Sequence, residues 1–411
     1  MRKEVIEVYK KLGIDVKEAI EKLKNIPISV QCWQLDDIDG FLKKESLSGG
    51  IATTGNYPYK ARNFEELTSD YAFALSLIPG TKKINLHAIY EDSDIVDRSE
   101  ITYLNFKRRI EFAKKNNVGI DFNPTVFSSD MLVDGLSLSS PKKEVRDYWI
   151  KHCINSIKVS EKFGEILHKK SLCNIWIPDG LKESPANRLV LRENLKNSLD
   201  KIFEYKYNKE YCAVSLESKV FGIGVESFTV GSSEFYQNYC AKNGLLNLID
   251  MGHYHPTENV ADKISSILAF NDEIAFHISR PVRWDSDHVV KLNDELQEVC
   301  DELVKCNALN KAYIGLDYFD GSINRVAALV IGARNLVKAL LKSLLTPWET
   351  LTKLQNEGNH TEILYLQEII KTLPWEEVYE EYLKETCCLN ECEWFEKVKE
   401  YEKEVMAKRG E

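Results

Sequence analysis

The feature that most constrains the fold of this 411-residue chain is a set of eight short, near-continuous apolar runs. Such runs are typical of strands covered on both faces, as in parallel sheets. Helical patterns separate most of them, and eight strand–helix units predict an α/β fold, namely a (β/α)8 TIM barrel. The runs are ISVQCW (28–33), INLHAIY (84–90), VGIDFNP (118–124), LCNIWIP (172–178), CAVSLES (212–218), LLNLIDMGH (245–253), IAFHISR (274–280) and YIGLDYFD (313–320).

An open, doubly wound sheet is the alternative arrangement of alternating strands and helices. Such a sheet more often carries a glycine-rich phosphate loop, GxGxxG, after an early strand. The nearest approach in this chain is FGIGVE (221–226), which does not fit that pattern. The barrel is therefore favoured, and its active site is expected at the carboxyl ends of the strands.

Beyond residue 320 the pattern becomes helical throughout, beginning with INRVAALVIGARNLVKALLKSLL, which we interpret as the last barrel helix. Residues 1–345 are predicted to form the catalytic barrel, including one amphipathic N-terminal helix in MRKEVIEVYKKLGIDVKEAIEKLK. Residues 346–411 are predicted to form an α-helical C-terminal extension. Its charged helix faces are expected to be solvated or to make subunit contacts.

The composition excludes several functional classes. A net charge of −10 argues against a nucleic-acid partner. No apolar run approaches the roughly 18 to 20 residues needed to span a bilayer, and the N-terminus lacks the apolar segment of a signal peptide. We therefore expect a cytoplasmic protein with neither a membrane nor a nucleic-acid partner.

Ten cysteines could suggest a disulfide framework, but their setting argues for reduced thiols. Cys32, Cys173 and Cys212 lie inside apolar runs, where a free cysteine packs as a small hydrophobic residue. The cluster CCxxxC near the C-terminus (387–392) lacks an evident fourth ligand at zinc-site spacing. Cys387, Cys388 and Cys392 are therefore interpreted as incidental thiols.

Carboxylates and imidazoles accumulate where the last four predicted strands end. Because the carboxyl ends of barrel strands meet at one mouth, these side chains are expected to lie together. Burying them without cations would cost on the order of several kcal/mol per charge, which paired divalent ions would offset. Mixed oxygen and nitrogen ligands suit Mn²⁺, Mg²⁺, Co²⁺ or Zn²⁺. The residues are Glu217, Asp250, His253, His277, Asp285, Asp287 and Asp317.

Their spacing suggests two groups. One residue from each of four adjacent strands could surround a first ion: Glu217, Asp250, His277 and Asp317. His253, Asp285 and Asp287 lie further out and could hold a second ion, because a DxD pair directs both carboxylates to one side of an extended segment. Each residue alone also fits an ordinary role in a turn, a helix cap or the core. The complete set favours a two-metal barrel enzyme without naming its substrate.

At these residues the chain closely resembles the L-rhamnose isomerase family, and the resemblance covers nearly its whole length. It implies a (β/α)8 barrel, usually a homotetramer, that isomerises the sugar L-rhamnose to L-rhamnulose with two divalent metal ions per subunit, commonly Mn²⁺. The matching segments are CWQLDD (32–37), GGIATTGNYPYKARN (49–63), NLHAIY (85–90), DFNPTVFS (121–128), NIWIPDG (174–180), ESKVFGIGVES (217–227), DMGHYHPTE (250–258), HISRPVRWDSDHVV (277–290), GLDYFDGSINR (315–325) and YEKEVMAKRG (401–410).

The resemblance also implies roles for individual residues. The family's structural metal site falls on the first group above, and its catalytic metal site falls on the second. The implied substrate-binding residues are aromatic pocket walls and a residue near the sugar ring oxygen, namely Trp176, Phe127 and His87. Trp33 is included as a further substrate-binding candidate because it lies at the end of the first strand, although it could equally be an aromatic residue of the core. The candidate catalytic residues are Lys219, Asp317, Asp287 and His253.

One position departs from the family pattern, since Leu35 stands where a glycine is usual. This change leaves the candidate metal ligands intact, and we expect it to bear on the range of substrates rather than on the reaction. The expected mechanism is a metal-mediated hydride shift from C2 to C1, with Asp317 or Asp287 orienting the group that takes the O2 proton and Lys219 stabilising charge at O1. Proton abstraction through an ene-diol is the competing route.

Three other functions fit parts of the sequence. A related sugar isomerase or epimerase with a different aldose would use the same metal ligands. A metal-dependent hydrolase barrel would use similar sets of histidine, aspartate and glutamate. A catalytically inactive binding protein would be indicated by loss of a ligand, and the matched positions show no such loss.

Overall fold

The computed structural model describes residues 1–40, 53–92, 97–220, 226–282 and 285–409. Most of FGIGVE (221–226) and parts of the matched segments 49–63, 217–227 and 277–290 lie outside the described residues. Every candidate metal, catalytic and substrate-binding residue named above falls inside them.

Eight parallel strands close into a barrel, which confirms the predicted fold class. The order around the barrel is β1-β10-β9-β8-β6-β4-β3-β2, so the first and last strands pair directly. Ile28 of β1 lies opposite Ile314 of β10 at this closure. The barrel strands are β1 (Ile28–Gln31), β2 (Lys82–His87), β3 (Gly119–Asn123), β4 (Ser171–Ile175), β6 (Cys212–Glu217), β8 (Leu246–Asp250), β9 (Ile274–Ile278) and β10 (Ala312–Leu316).

Two further strands form a small antiparallel sheet that the apolar runs did not predict. β5 (Gly180–Leu181) follows β4, and β7 (Phe228–Thr229) follows β6. Each has only two residues, too few to show an alternation of apolar and polar side chains. The pair links the segments that leave two neighbouring barrel strands at the carboxyl end.

Helices surround the barrel and continue to the C-terminus. The longest, α5 and α10, bury extended apolar faces because their apolar residues recur at helical spacing. The helices are α1 (Lys3–Lys11), α2 (Val16–Lys24), α3 (Phe64–Leu77), α4 (Lys107–Lys115), α5 (Lys143–Leu167), α6 (Arg188–Ile202), α7 (Ser233–Asn243), α8 (Asp262–Leu268), α9 (Asp294–Lys305), α10 (Arg325–Leu344), α11 (Trp348–Asn356), α12 (His360–Ile370), α13 (Trp375–Glu385) and α14 (Glu391–Glu404).

The N-terminal region differs from the prediction of one amphipathic helix, because it forms two. α1 ends before Gly13, whose φ of +79° lies in the left-handed region that favours glycine. Asp15 then caps α2 by accepting hydrogen bonds from the backbone N–H groups of Lys17 and Glu18. The apolar period continues across this break, so the sequence pattern alone resembled a single helix.

The C-terminal helices fold back onto the barrel domain. Arg409, in a short 3-10 turn (Met406–Arg409), donates hydrogen bonds to the carboxylate of Asp70 on α3. Tyr401 of α14 donates to the same carboxylate over 2.9 Å. Within the described residues, none of the helices combines the length and the apolar character that crossing a bilayer requires.

Candidate active site

A cavity of about 440 Å³ opens at the carboxyl end of the barrel, where the sequence predicted the site. It collects all but two of the candidate site residues. The two that do not line it are Asp250 and Lys219, which are both buried. The lining residues are Trp33, Ile38, Thr54, His87, Asn123, Pro124, Phe127, Asn174, Trp176, Glu217, His253, His277, Asp285, Ser286, Asp287, His288, Asp317, Phe319, Asp320 and Ser322.

The first cluster combines one residue from each of four adjacent strands, as spacing predicted. Asp250 at the end of β8 is in register with His277 on β9, which places their side chains together. The Nδ1 atom of His277 lies 3.4 Å from Glu217 Oε1 and 3.2 Å from Asp317 Oδ2. One ligand atom from each of these four residues lies within 4.8 Å of the others, close enough to share one ion.

The second cluster differs in membership from the predicted group. It contains His253 and Asp285, whose Nε2 and Oδ2 atoms are 2.9 Å apart, together with Asp250 in place of Asp287. Asp287 lines the same cavity, and its carboxyl group interacts with that of Asp285. Asp250 therefore lies between the two clusters and offers an atom to each.

Several buried atoms of these clusters have no hydrogen-bond partner in the described part of the chain. A buried polar atom without a partner is costly, so five of them in one place require an explanation. Carboxylate oxygens and imidazole nitrogens are the donors that hard and borderline divalent cations accept, and the set fits such ions. The atoms are Glu217 Oε1, Asp250 Oδ2, His253 Nδ1, His277 Nδ1 and Asp285 Oδ1.

The pKa values of residues in the clusters are shifted because several ionisable groups are buried close together. Burial raises the pKa of Asp250 well above its usual range, although nearby His253 opposes this effect. Burial alone would lower the pKa of His277, but the Glu217 and Asp317 carboxylates outweigh it and raise the pKa well above normal. A raised pKa means that Asp250 and His277 bind a proton more tightly than usual, so a cation would compete with protons for these ligands.

A glycine allows the second cluster to assemble. The backbone N–H of Gly252 donates to Asp250 Oδ1 over 2.6 Å. A Cβ atom at this position would lie 2.5 Å from Asp285 Oδ1, well inside van der Waals contact. A side chain at this position would displace the Asp285 carboxylate, so the glycine leaves room for the second cluster.

Aromatic rings line one side of the cavity. The indole Nε1 of Trp33 donates to Asp317 Oδ1 over 3.0 Å, and the Trp33 ring meets the His87 ring edge-on at 4.7 Å. The Phe127 and Trp176 rings lie 6.1 Å apart in an edge-to-face arrangement. Burial lowers the pKa of His87 to about 3, so this imidazole is neutral at physiological pH.

Besides Asp250, two further residues singled out in the sequence lie outside the cavity lining, namely Lys219 and Leu35. Lys219 is buried, donates from Nζ to the carbonyl of Pro178 over 2.8 Å, and pairs with the carboxylate of Glu226. Leu35 is fully buried in the turn after β1. It therefore has no direct access to a molecule in the cavity.

Sequence reasoning missed several lining residues. Asn174 on β4 donates to Glu217 Oε2 and accepts from the Ser215 hydroxyl, so it orients a candidate ligand. Asn123 at the end of β3 donates to Asn85. A polar side chain inside an otherwise apolar strand was the available signal for both. Ile38 carries no such signal, because its place in the lining depends on the shape of the turn after β1.

The fold and the site together define a (β/α)8 barrel enzyme whose mouth gathers carboxylates and imidazoles from successive strands. The family model described as L-rhamnose isomerase (RhaA) matches residues 3–409. The chain belongs to this family, which confirms the resemblance seen in the sequence, and it is an isomerase of that family.

Curated relatives support the same assignment. The chain is 48% identical over 401 residues to L-rhamnose isomerase of Salmonella gallinarum, covering 97% of this chain and 96% of that protein. L-rhamnose isomerase of Salmonella paratyphi B matches to the same extent. The similarity thus spans the C-terminal helices as well as the barrel.

Solved structures show a more distant likeness. That of L-ribulose 3-epimerase matches with a TM-score of 0.47 and 12% identity, covering 72% of this chain and 93% of that one. D-psicose 3-epimerase from Clostridium cellulolyticum H10, solved with D-tagatose, matches with a TM-score of 0.45 and 9% identity, covering 77% and 96%. Likeness at this level carries no argument about the reaction.

Proposed function

We propose that this protein interconverts L-rhamnose and L-rhamnulose in the cytoplasm, using two divalent metal ions per subunit. The observation that carries the proposal is the convergence of unpartnered carboxylate and imidazole atoms at the base of the cavity, in a member of the L-rhamnose isomerase family. A barrel mouth with that donor set suits a small polyhydroxylated substrate.

Residues Glu217, Asp250, His277 and Asp317 would hold one ion, and His253, Asp285 and Asp287 the other, with Asp250 available to both clusters. Mn²⁺ is the proposed metal, while Mg²⁺, Co²⁺ and Zn²⁺ suit the same ligands. When bound, such ions polarise a carbonyl and lower the pKa of a neighbouring hydroxyl group.

The proposed chemistry moves a hydride from C2 to C1 and a proton from O2 to O1, so that an aldose becomes a ketose. Asp317 is oriented for proton transfer because Trp33 and His277 both contact its carboxylate. Asp287 is the second candidate for holding the O2 proton, and His253 is a candidate base for an ene-diol route. Lys219 is proposed to favour negative charge at O1, which would require its ammonium to leave the Glu226 carboxylate and reach the cavity.

The walls of the cavity suit a deoxy sugar. Phe127 and Trp176 present aromatic rings against which a C6 methyl group would pack. Apolar contacts discriminate by only about 1 to 3 kcal/mol per group, so exclusion of other aldoses should be incomplete. We expect slow turnover of L-mannose, measured as ketose formation, and strict refusal of it would contradict this account of specificity.

The test is to strip the enzyme with a chelator and to follow L-rhamnose by NMR with and without Mn²⁺. Ketose is expected only with the metal. Asp285→Asn should lose activity and bound manganese, because it removes one charged ligand of the second cluster. Asp272→Asn, an exposed aspartate away from the cavity, is the matched control and should retain both. Ketose formation by the fully stripped enzyme would contradict the proposal.

The route of hydrogen transfer needs a separate measurement. A direct shift keeps the hydrogen of C2, so a reaction run in D₂O should give ketose with little deuterium at C1. Substantial solvent deuterium at C1 would instead identify proton abstraction through an ene-diol.

A further inference from the structure

The turn after β1 contains two consecutive residues in the left-handed backbone region. Asp37 and Ile38 each have a φ of 60°. Aspartate tolerates this region, but for β-branched isoleucine it is a genuine outlier. Ile38 is also 2% exposed and lines the cavity. The strained residue is therefore part of the wall of the candidate active site.

A buried guanidinium holds this turn. Arg325 donates from Nε to Asp37 Oδ1 over 2.7 Å and from Nη2 to Asp37 Oδ2 over 2.8 Å. Its remaining nitrogen donates to the carbonyls of Tyr57 and Pro58 at 2.8 and 3.3 Å. A bidentate pair of this kind fixes direction as well as distance, so the Asp37 backbone has little freedom to relax.

The position of Arg325 in its own helix points to the same role. It is the first residue of α10, and the first turn of that helix contains no acidic residue. A cation at a helix N-terminus opposes the helix dipole, so the helix itself gains nothing from arginine here. The favourable interaction of this side chain is with Asp37, on the opposite side of the closure between β1 and β10.

We infer that Arg325 is a positioning residue, which acts through Asp37 to hold Ile38 in the cavity wall and so sets how tightly the enzyme grips its aldose. This inference rests on the proposed function in taking the substrate to be a sugar bound in this cavity. Arg325 itself does not line the cavity, so its effect on substrate passes through the turn.

The test compares Arg325→Met with wild-type enzyme in the presence of manganese, measuring kcat and KM for L-rhamnose. We expect KM to rise on the order of tenfold, the size of one apolar contact, while kcat changes by less than about twofold. Arg334→Met is the matched control, because Arg334 is a buried arginine of the same helix that bonds to Leu77, Leu389 and Glu391. It should lose stability but keep KM.

A second background tests whether the effect passes through Ile38. In Ile38→Gly the left-handed backbone is unstrained and the side chain is absent. Adding Arg325→Met to this variant should leave KM unchanged. A further tenfold rise in that background would overturn the inference, because Arg325 would then act by another path.

A crystal structure of Arg325→Met separates this inference from the proposed function. Ile38 is expected to leave the left-handed region and the cavity. If Ile38 keeps its left-handed backbone and its place in the cavity wall, the inference fails whatever the activity. A wild-type enzyme that is inactive on L-rhamnose would refute only the proposed function. If Arg325→Met does not fold, Arg325→Lys replaces it, because lysine keeps the charge but not the bidentate guanidinium. Its KM should rise less than that of Arg325→Met. An unchanged Ile38 backbone in that variant would again refute the inference.

Discussion

At the scale of single residues, the indole of Trp33 forms a hydrogen bond between the segment that follows the first barrel strand and the segment that follows the last. Replacing Trp33 with Phe removes the donor to Asp317 and leaves one oxygen of this partly buried carboxylate, whose side chain is 22% exposed, short of one hydrogen bond. We expect kcat/KM for L-rhamnose to fall on the order of tenfold, since such a loss costs about 1 to 3 kcal/mol. Trp348→Phe loses a similar bond, to Ser343, far from the cavity and should retain activity in the same assay.

His152 supplies a prediction about pH and stability. Burial lowers its pKa from the usual 6.5 to about 3, and its Nδ1 lies 3.0 Å from the carbonyl of Arg98. Between those pH values the unfolded chain binds a proton that the native state does not bind. The free energy of unfolding should therefore decrease as pH falls from 6.5 towards 3, with full stability above 6.5.

The measurement is urea unfolding of wild type and His152→Asn at several pH values. The variant should lack a contribution of up to about 1.4 kcal/mol per pH unit to the acid-side slope. His360→Asn changes an exposed histidine and should keep the wild-type slope. Equal slopes for wild type and His152→Asn would show that burial of this imidazole does not control acid stability.

At the scale of single residues, the sequence could indicate which polar side chains gather at the mouth of the barrel, but not how they are distributed between the two clusters. Polar side chains within or at the end of apolar strands mark Glu217 and His277 as candidates. Each alone also fits an ordinary structural role, so the complete set is what indicates a site. The sharing of Asp250 depends on the absence of a side chain at Gly252, which leaves room for the Asp285 carboxylate beside it. Close contacts of this kind fix distances that no spacing rule contains.

At the scale of elements, the C-terminal turn and α3 are joined by the pair of Arg409 and Asp70. Both side chains are almost fully buried. Arg409→Gln should lower the free energy of unfolding by about 3 kcal/mol, because it leaves a buried carboxylate with only Tyr401 as a side-chain donor. Urea unfolding measures this loss.

An exposed ion pair provides the comparison. Arg2 pairs with Glu377 at the surface, where solvent screens the charges. Arg2→Gln should leave the free energy of unfolding nearly unchanged in the same experiment. Similar losses for the two variants would mean that burial of the Arg409 pair contributes nothing.

The elements themselves could largely be predicted, because apolar runs and helical periods are local signals. The residues at which these elements begin and end could not be predicted in the same way. The run at 245–253 continues three residues past β8, which stops at Asp250, because Met251 and Gly252 extend the apolar pattern while the chain leaves the sheet. The break between α1 and α2 was missed because the apolar period continues across it, although Gly13 and the capping residue Asp15 mark it.

At the scale of the whole molecule, we propose a homotetramer in which residues 346–411 make subunit contacts. Helix α12 contributes no buried side chain, and its Leu364 and Tyr365 are 63% and 61% exposed. Such an apolar face favours association with another copy. Light scattering should give about four times the chain mass of 47.3 kDa.

A charge placed on this face should weaken the assembly. Leu364→Glu is expected to lower the measured mass, whereas Leu189→Glu, on α6 and 62% exposed, should leave it unchanged. A wild-type mass equal to one chain would refute the tetramer. A tetramer unaffected by Leu364→Glu would refute only the assignment of α12.

The closure of the barrel has a consequence for how the protein is made. Trp33 and Asp317 are 284 residues apart in the chain, and β1 finds one of its two neighbours only when β10 has formed. A ribosome must therefore release most of the polypeptide before the seam can close. Until then β1 and β9 present open edges to other nascent chains. Premature termination before residue 312, where β10 begins, would leave an aggregation-prone sheet, so the first strand made is among the last to be protected.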